Sequence, residues 1–435
     1  MGNLVEAYDV SICYFLFHEL SSHFLGDDTG APWVVLSLIF IAYLAKPIGA
    51  FILGLASDLY GRKQALMASI IVMGISTALT GLIPDFSRIG LWAAFLFLIL
   101  RIVQSMALGS EFLNSASFLV ESGDDSQRGF RGCWSSVGVK TGALLACLIA
   151  SGTHAIIIKN PDLNWVWRIP FLLSILTTLV GIAIRYRMPE SLGYIIHYAS
   201  REKPTTHSIY QESLLFIKKY PFLFNYAFFA SFLSVTTGFF FYLYIPLHAA
   251  SQSHFSTYFI TSSAVASLVL VSLLIPIFGW ISDKYDRLKM LTFASSGLFA
   301  LAYPFMIAIN SGHTDYYLMM QLLISVPCAC YYSVSSVILT ELFPIPIRCT
   351  VLSLIFSIAA SIASGAPPLL AEYLSNKTDM PNSPCVIIIF LAGIALINIK
   401  ILATRYRCGK NTYNSMQILN SDPLFDIQYQ LKSTG

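Results

Sequence analysis

The sequence predicts an all-α membrane protein in which twelve transmembrane helices form two six-helix halves. Three observations carry this expectation. Of the 435 residues, 56% are hydrophobic and 11% charged, and the mean hydropathy of +0.68 lies far above that of a soluble domain. Apolar runs long enough to cross about 30 Å of hydrocarbon recur along the chain. The chain also repeats itself: Gly54, Asp58 and Arg62 return as Gly279, Asp283 and Arg287, displaced by 225 residues, and Glu121 and Arg128 return as Glu341 and Arg348, displaced by 220. Related membrane halves with charged loops at matching places form a transporter architecture.

Taken in order, the predicted spans cover residues 8–25, 34–57, 65–83, 91–120, 133–153 and 169–186, then 222–249, 258–281, 290–309, 316–339, 349–373 and 386–404. They divide the chain into a six-helix half at 1–186, a polar, basic connector at 187–220, a second six-helix half at 221–405 and a tail at 406–435 without a sustained heptad pattern. With the N-terminus inside, eighteen lysines and arginines fall in cytoplasmic segments and only Arg88, Lys159, Arg168 and Lys377 on the other side. Basic loops resist export, so both termini are expected in the cytoplasm. The net charge of +3 reflects this asymmetry and not an affinity for nucleic acid. No basic segment precedes the first span, which reads as a retained helix rather than a cleaved signal; so short a lead also fits an abbreviated N-terminus.

Charged residues inside the spans are the candidate functional groups. An ionised side chain at mid-membrane costs about 2.5–3.5 kcal/mol on insertion scales unless it is paired or hydrated, so Asp9, Lys46, Arg101, Glu111 and Lys140 are expected to face a cavity or a partner. Arg101, Ser105 and Gly109 recur every fourth residue and give the fourth span a face that another helix can approach closely. Asp9 with Arg101 makes a proton switch, or else a fixed structural ion pair; Glu6 is an accessory to it, or a solvated residue near the membrane edge. Lys46, then Lys140, are candidates to meet a substrate carboxylate, the alternative being that each neutralises an acid such as Glu111. With Glu111, Tyr242, Tyr244 and Tyr331 complete the candidate substrate site, beside Tyr332. The Lys46–Pro47 step favours a local break in the helix. Eight cysteines occur without metal-ligand spacing, so neither metal nor cofactor is expected.

Several motifs, in order on successive spans, resemble the metabolite:proton symporters, a branch of the major facilitator superfamily. Gly2-Asn3 with Glu6, Tyr8 and Asp9 resembles G-N-x-x-E-W-Y-D, with Ala7 in place of tryptophan; Lys46-Pro47-Ile48-Gly49 resembles R-P-x-G. Arg101 to Glu111 resembles R-x-x-Q-G-x-x-x-G-G-E, Trp167 to Phe171 is W-R-I-P-F, and Glu341 to Arg348 fits E-L-F-P-x-x-x-R. The resemblance implies a major facilitator fold. It also implies that Asp58 approaches the N-terminus of the eleventh span, where exposed amides attract an anion. Gly54, Arg62, Glu121 and Arg128 would join it in a cytoplasmic gate, with Gly279, Asp283, Arg287, Glu341 and Arg348 as the equivalent in the second half.

The function expected is proton-coupled symport of a small organic metabolite, a carboxylate or a zwitterion such as proline, betaine or a dicarboxylate, by a monomer in a bacterial inner membrane. Its partners are the solute, protons and the bilayer. A proton antiporter or exporter, or a facilitator, is the alternative, but the fifth span reads Gly138-Val139-Lys140-Thr141-Gly142 and lacks the G-P-x-x-G-G element of drug exporters. An enzyme would need a nucleophile with its base, a metal cluster or a phosphate loop, and a nutrient sensor an appended signalling domain. Neither signature stands out.

Overall fold

The computed structural model describes residues 2–25, 32–122, 125–198, 205–251, 255–377 and 382–405; the tail expected at 406–435 lies outside them. Every regular element among them is helical. Hydrocarbon offers no partner for backbone N–H and C=O groups, so each crossing segment must close its own hydrogen bonds. Eleven helices are long and apolar enough to cross a membrane among the described residues. The remaining span, the first of the twelve, is built in two pieces, Gly2–Phe15 and Phe17–Leu25.

That first span begins at Gly2, ahead of the apolar run from which it was expected to start. Its opening turns are polar yet buried, because Asn3 donates to the Ser135 carbonyl at 3.2 Å and the Tyr8 hydroxyl to the Pro170 carbonyl at 2.8 Å. Polar groups satisfied by neighbouring helices do not register as apolar sequence. The second span, Ser37–Tyr60, loosens at Leu44 and Ala45 before resuming at Lys46. Pro47 has no N–H to give the carbonyl four residues earlier, and that carbonyl, on Tyr43, accepts instead from the Ser361 hydroxyl at 2.7 Å. The fourth span, Trp92–Glu121, loosens likewise at Gly109 and Ser110. A side chain at Gly109 would place its Cβ 2.8 Å from the Ala50 Cα, so the second and fourth spans touch there backbone to backbone. The seventh span passes from Pro221–Phe239 through one wide turn at Phe240–Tyr244 into Ile245–Ser251.

Packing repeats between the halves with an offset of six spans. The first lies against the fifth as the seventh lies against the eleventh; the third pairs with the sixth as the ninth (Arg287–Asn310) pairs with the twelfth (Cys385–Arg405). The halves meet along two equivalent seams, second span on eleventh and fifth on eighth. On the outer helices, side chains such as Ile75, Leu79, Leu176, Leu179, Phe293 and Phe390 are exposed, an apolar surface suited to lipid around an interior that is itself largely apolar. The connector expected at 187–220 carries two short helices, Leu192–Tyr198 and Thr206–Lys219.

Candidate functional site

One face of the bundle is closed by carboxylates seated on helix ends. Asp58, at the end of the second span, accepts from the amides of Cys349 at 3.3 Å and Thr350 at 2.7 Å and from the Thr350 hydroxyl at 2.7 Å, at the start of the eleventh span, Arg348–Lys377. Asp283, at the end of the eighth, accepts from Gly129 at 2.6 Å and Phe130 at 2.8 Å, in the short helix Arg128–Gly132 that opens the fifth. Each carboxylate thereby joins its own half to the opposite one. A helix start presents unbonded amides and a partial positive charge, which makes it a fitting seat for an anion. Glycine permits the approach: a Cβ at Gly54 would lie 2.9 Å from the Cys349 carbonyl oxygen, and one at Gly279 3.0 Å from the Cys133 Cβ.

Arginines complete both copies. Arg62 pairs with Asp58 at 2.9 Å and Glu121 at 3.4 Å and donates across the seam to the Ile345 carbonyl at 2.9 Å. Arg348 reaches Glu121 from the other half at 2.7 Å. In the second copy Arg287 pairs with Asp283 at 3.1 Å and Glu341 at 2.5 Å. Sequence reasoning did not single out Glu190 and Ser191, which extend the cluster: Glu190 accepts from the Arg62 amide at 3.0 Å and the Lys63 amide at 3.2 Å, and the Ser191 hydroxyl donates to Glu121 at 2.8 Å. They lie in the connector, outside any repeated motif.

Between the halves lies a cavity of about 210 Å³. Lys46, Lys140 and Tyr242 line it, with Tyr332 and, from the first span, Glu6. The ammonium of Lys46 sits 5.5 Å from the ring centroids of both Tyr43 and Phe356; that of Lys140 sits 3.8 Å from Tyr332 and 5.0 Å from Tyr242. Neither lysine forms an ion pair among the described residues. The remaining wall is mostly apolar or aromatic, with Val10, Tyr14, Phe112, Val139 and Phe239.

Other expected members of the substrate site stand elsewhere. Glu111 does not reach the cavity: it is buried in the first half, bonded to Arg185 of the sixth span and to the Ser69 hydroxyl. It therefore neutralises Arg185 and neither lysine. Tyr331 turns away and donates to the Ala230 carbonyl at 3.1 Å, and Tyr244 stacks on His248 with centroids 5.5 Å apart. Helical geometry explains this, since Tyr331 and Tyr332 are adjacent and face about 100° apart.

Asp9 and Arg101 lie behind the cavity wall and form no ion pair with each other. Arg101 donates instead to the Cys13 thiol at 2.7 Å, Gln104 at 2.6 Å and Thr80 at 2.7 Å. Gln104, one turn along on the same helix, and Thr80, on the third span, compete successfully for a guanidinium with five donors. Asp9 is fully buried, and neither carboxyl oxygen has a hydrogen-bond partner among the described residues.

A sequence model of the Major Facilitator Superfamily matches residues 1–368 and, overlapping, 262–418. The chain belongs to this superfamily. Similar proteins include the proline/betaine transporter of Salmonella typhimurium, 28% identical over 407 residues, with 91% of this chain and 80% of that protein covered. The ectoine/proline transporter of Corynebacterium glutamicum is 28% identical over 416 residues, covering 91% and 82%. In architecture the chain is similar to the proton:xylose symporter XylE bound to 6-bromo-6-deoxy-D-glucose, with a TM-score of 0.73 at 17% identity and 96% of each chain covered. The inward-open form of XylE from E. coli gives 0.66 at 16% identity, covering 96% and 97%.

In this major facilitator protein the seam between the halves carries a further device. Ser353, Ser357 and Ser361 stand one turn apart on the eleventh span and donate to Asn114 at 3.4 Å, the Gly109 carbonyl at 2.6 Å and the Tyr43 carbonyl at 2.7 Å. On the other side of the cavity Ser136 donates to the Tyr332 carbonyl at 2.8 Å. The four-residue spacing of the serines was the available signal. The spacing alone does not mark a seam, because serine in a membrane helix more often bonds its own preceding turn.

Proposed function

We propose that this major facilitator protein is a proton-coupled symporter, carrying a small organic solute with a carboxylate, either an anion or a zwitterion, into the cell by alternating access. The observation that carries the reading is the central cavity, where two ammonium groups and one carboxylate line the meeting of two halves that the charged cluster of the gate joins on one face. Solutes held between pseudo-symmetric repeats can be exposed to either side when the repeats rock. The basic loops support a cytoplasmic position for the latched face and for both termini, in the plasma membrane of a bacterium. In this state the inner gate is shut and the cavity belongs to the outward-facing part of the cycle. The names of the relatives, transporters of proline, betaine and ectoine, support a compact solute bearing a carboxylate.

Asp9 is the proton site of this proposal. An ionised carboxylate buried without a donor is costly, whereas the protonated acid loses far less. The outward state thus holds the acid form, and release of its proton on the inward side would oblige Asp9 to find Arg101 and rearrange that guanidinium's three present contacts. Such an exchange of partners is a switch between two conformations driven by proton occupancy. The test is purified protein in proteoliposomes with an imposed pH gradient, alkaline inside, and a panel of labelled small carboxylates and zwitterions. Accumulation above the external concentration, abolished by a protonophore, is the expected result; equilibration without accumulation would reduce the protein to a facilitator.

A further inference from the structure

The wall that separates the central cavity from the Asp9 site is partly polar. Behind it lies a second void of about 10 Å³, lined by Cys13, Arg101, Gln104 and Ser105 among others, and this is about the space one water molecule needs. Val10, Tyr14 and Tyr43 line both the void and the cavity, so they form a shared wall. Two of the three carry hydroxyls. Tyr14 comes from the first span and Tyr43 from the second, and their hydroxyls lie close enough to act on each other. Phe239, from the seventh span of the opposite half, sets its ring on edge against both, with centroids 5.5 Å from Tyr14 and 6.2 Å from Tyr43. That contact holds the two phenol rings side by side.

The void suits a polar occupant. Arg101 is 3% exposed and its Nε has no hydrogen-bond partner among the described residues, while its terminal nitrogens are engaged by Cys13, Gln104 and Thr80. A donor buried in this way carries a desolvation cost that one water would relieve, and Ser105 with the two tyrosines supplies the further partners a buried water requires. Asp9 is not among the residues that line the void, but it stands one turn before Cys13 on the same face of the first span. Once ionised and paired with Arg101, its carboxylate joins a residue of the void's own wall. Reloading it in the outward state then requires a proton to cross from the cavity. The charged groups on the cavity side of the tyrosines are Glu6 and Lys46, and on the far side Arg101.

Resting on the reading of Asp9 as the proton site, the geometry points to Tyr14, Tyr43 and one water molecule in the void as the path by which a proton from the cavity reaches the Asp9 carboxylate. Each hydroxyl, and the water, accepts one proton on one side and passes its own on at the other. The net change is the conversion of one aspartate to its acid. The test needs no solute. In purified protein the infrared carbonyl stretch of a protonated carboxylic acid that is missing from Asp9→Asn reports Asp9 alone; its rise after a rapid drop in pH gives the rate of loading, and its final amplitude the equilibrium. Tyr14→Phe and Tyr43→Phe keep the rings and remove one hydroxyl each. Either is expected to slow loading by roughly tenfold or more with the final amplitude unchanged. Ala42→Val, which fills the void from its wall and keeps both hydroxyls, should slow it as well. A packing role for the tyrosines predicts no such slowing, because phenylalanine fills the same space. A wild-type rate in the double variant Tyr14→Phe/Tyr43→Phe overturns the path, and a wild-type rate in Ala42→Val removes the water from it. If the unaltered protein shows no pH-dependent band belonging to Asp9, the proton-site reading falls and the path with it.

Discussion

The gate and the central cavity hold buried charges of the same kinds and treat them in opposite ways. At the gate Asp58 collects two amides, a hydroxyl and an arginine, and Glu121 is held by two arginines and a serine. In the cavity Lys46 and Lys140 rest on aromatic faces and form no ion pair among the described residues, and neither carboxyl oxygen of Asp9 behind it has a hydrogen-bond partner among them. Burial is comparable in both, so burial alone does not mark function. What separates them is completion: a fully compensated cluster stabilises one arrangement of the halves, while an incomplete one retains the capacity to bind what is missing.

The sharpest way to break this comparison is to remove one charge from each class and measure stability. Glu111→Ala leaves Arg185 buried without its anion and should cost about 3–5 kcal/mol, read as a large fall in the thermal midpoint in detergent. Lys140→Met removes an unpaired buried cation and should leave that midpoint equal or higher. Equal losses in the two variants would dissolve the distinction between paired and unpaired charge.

Coupling gives the next largest effect. Asp9→Asn mimics the protonated acid and cannot release a proton, so uphill uptake should vanish while exchange between vesicles preloaded with the solute and labelled solute outside persists. Gradient-driven accumulation by the asparagine variant would move the coupling site elsewhere, with Glu6, inside the cavity, the next to examine. At the gate, Asp58→Asn keeps the shape and loses the charge that caps the eleventh span. A loss of about 1–2 kcal/mol in the closed state corresponds to a shift of roughly 5–30-fold towards the open one, measurable as faster labelling of a cysteine placed at the inner mouth. Asp283→Asn should act alike because it caps the fifth span in the same manner, and unequal effects would show that the two copies of the motif have diverged in role.

The smallest effect sharpens the comparison at the seam. Ser357→Ala removes one hydrogen bond to the Gly109 carbonyl, worth about 1 kcal/mol, and should change the transport rate less than tenfold. Complete loss of transport in that variant would mean that the serine ladder does more than guide the sliding of two helices.

The sequence by itself determined the class of the fold. Twelve crossings follow from apolar length, and the two halves from the return of Gly54, Asp58 and Arg62 as Gly279, Asp283 and Arg287, because a bilayer permits so few solutions to a chain of this composition. It also pointed to charged residues that could not lie in lipid. Which of them meet was decided only by the tertiary structure: Glu111 finds Arg185 on the sixth span, Arg101 turns to Gln104 and Thr80, and Glu6 reaches the cavity instead of the membrane edge. Hydropathy and spacing record what each helix can bury along its own axis, whereas partners are set by the rotation of one helix against another, and a turn of about 100° per residue moves a side chain from cavity to core between Tyr332 and Tyr331.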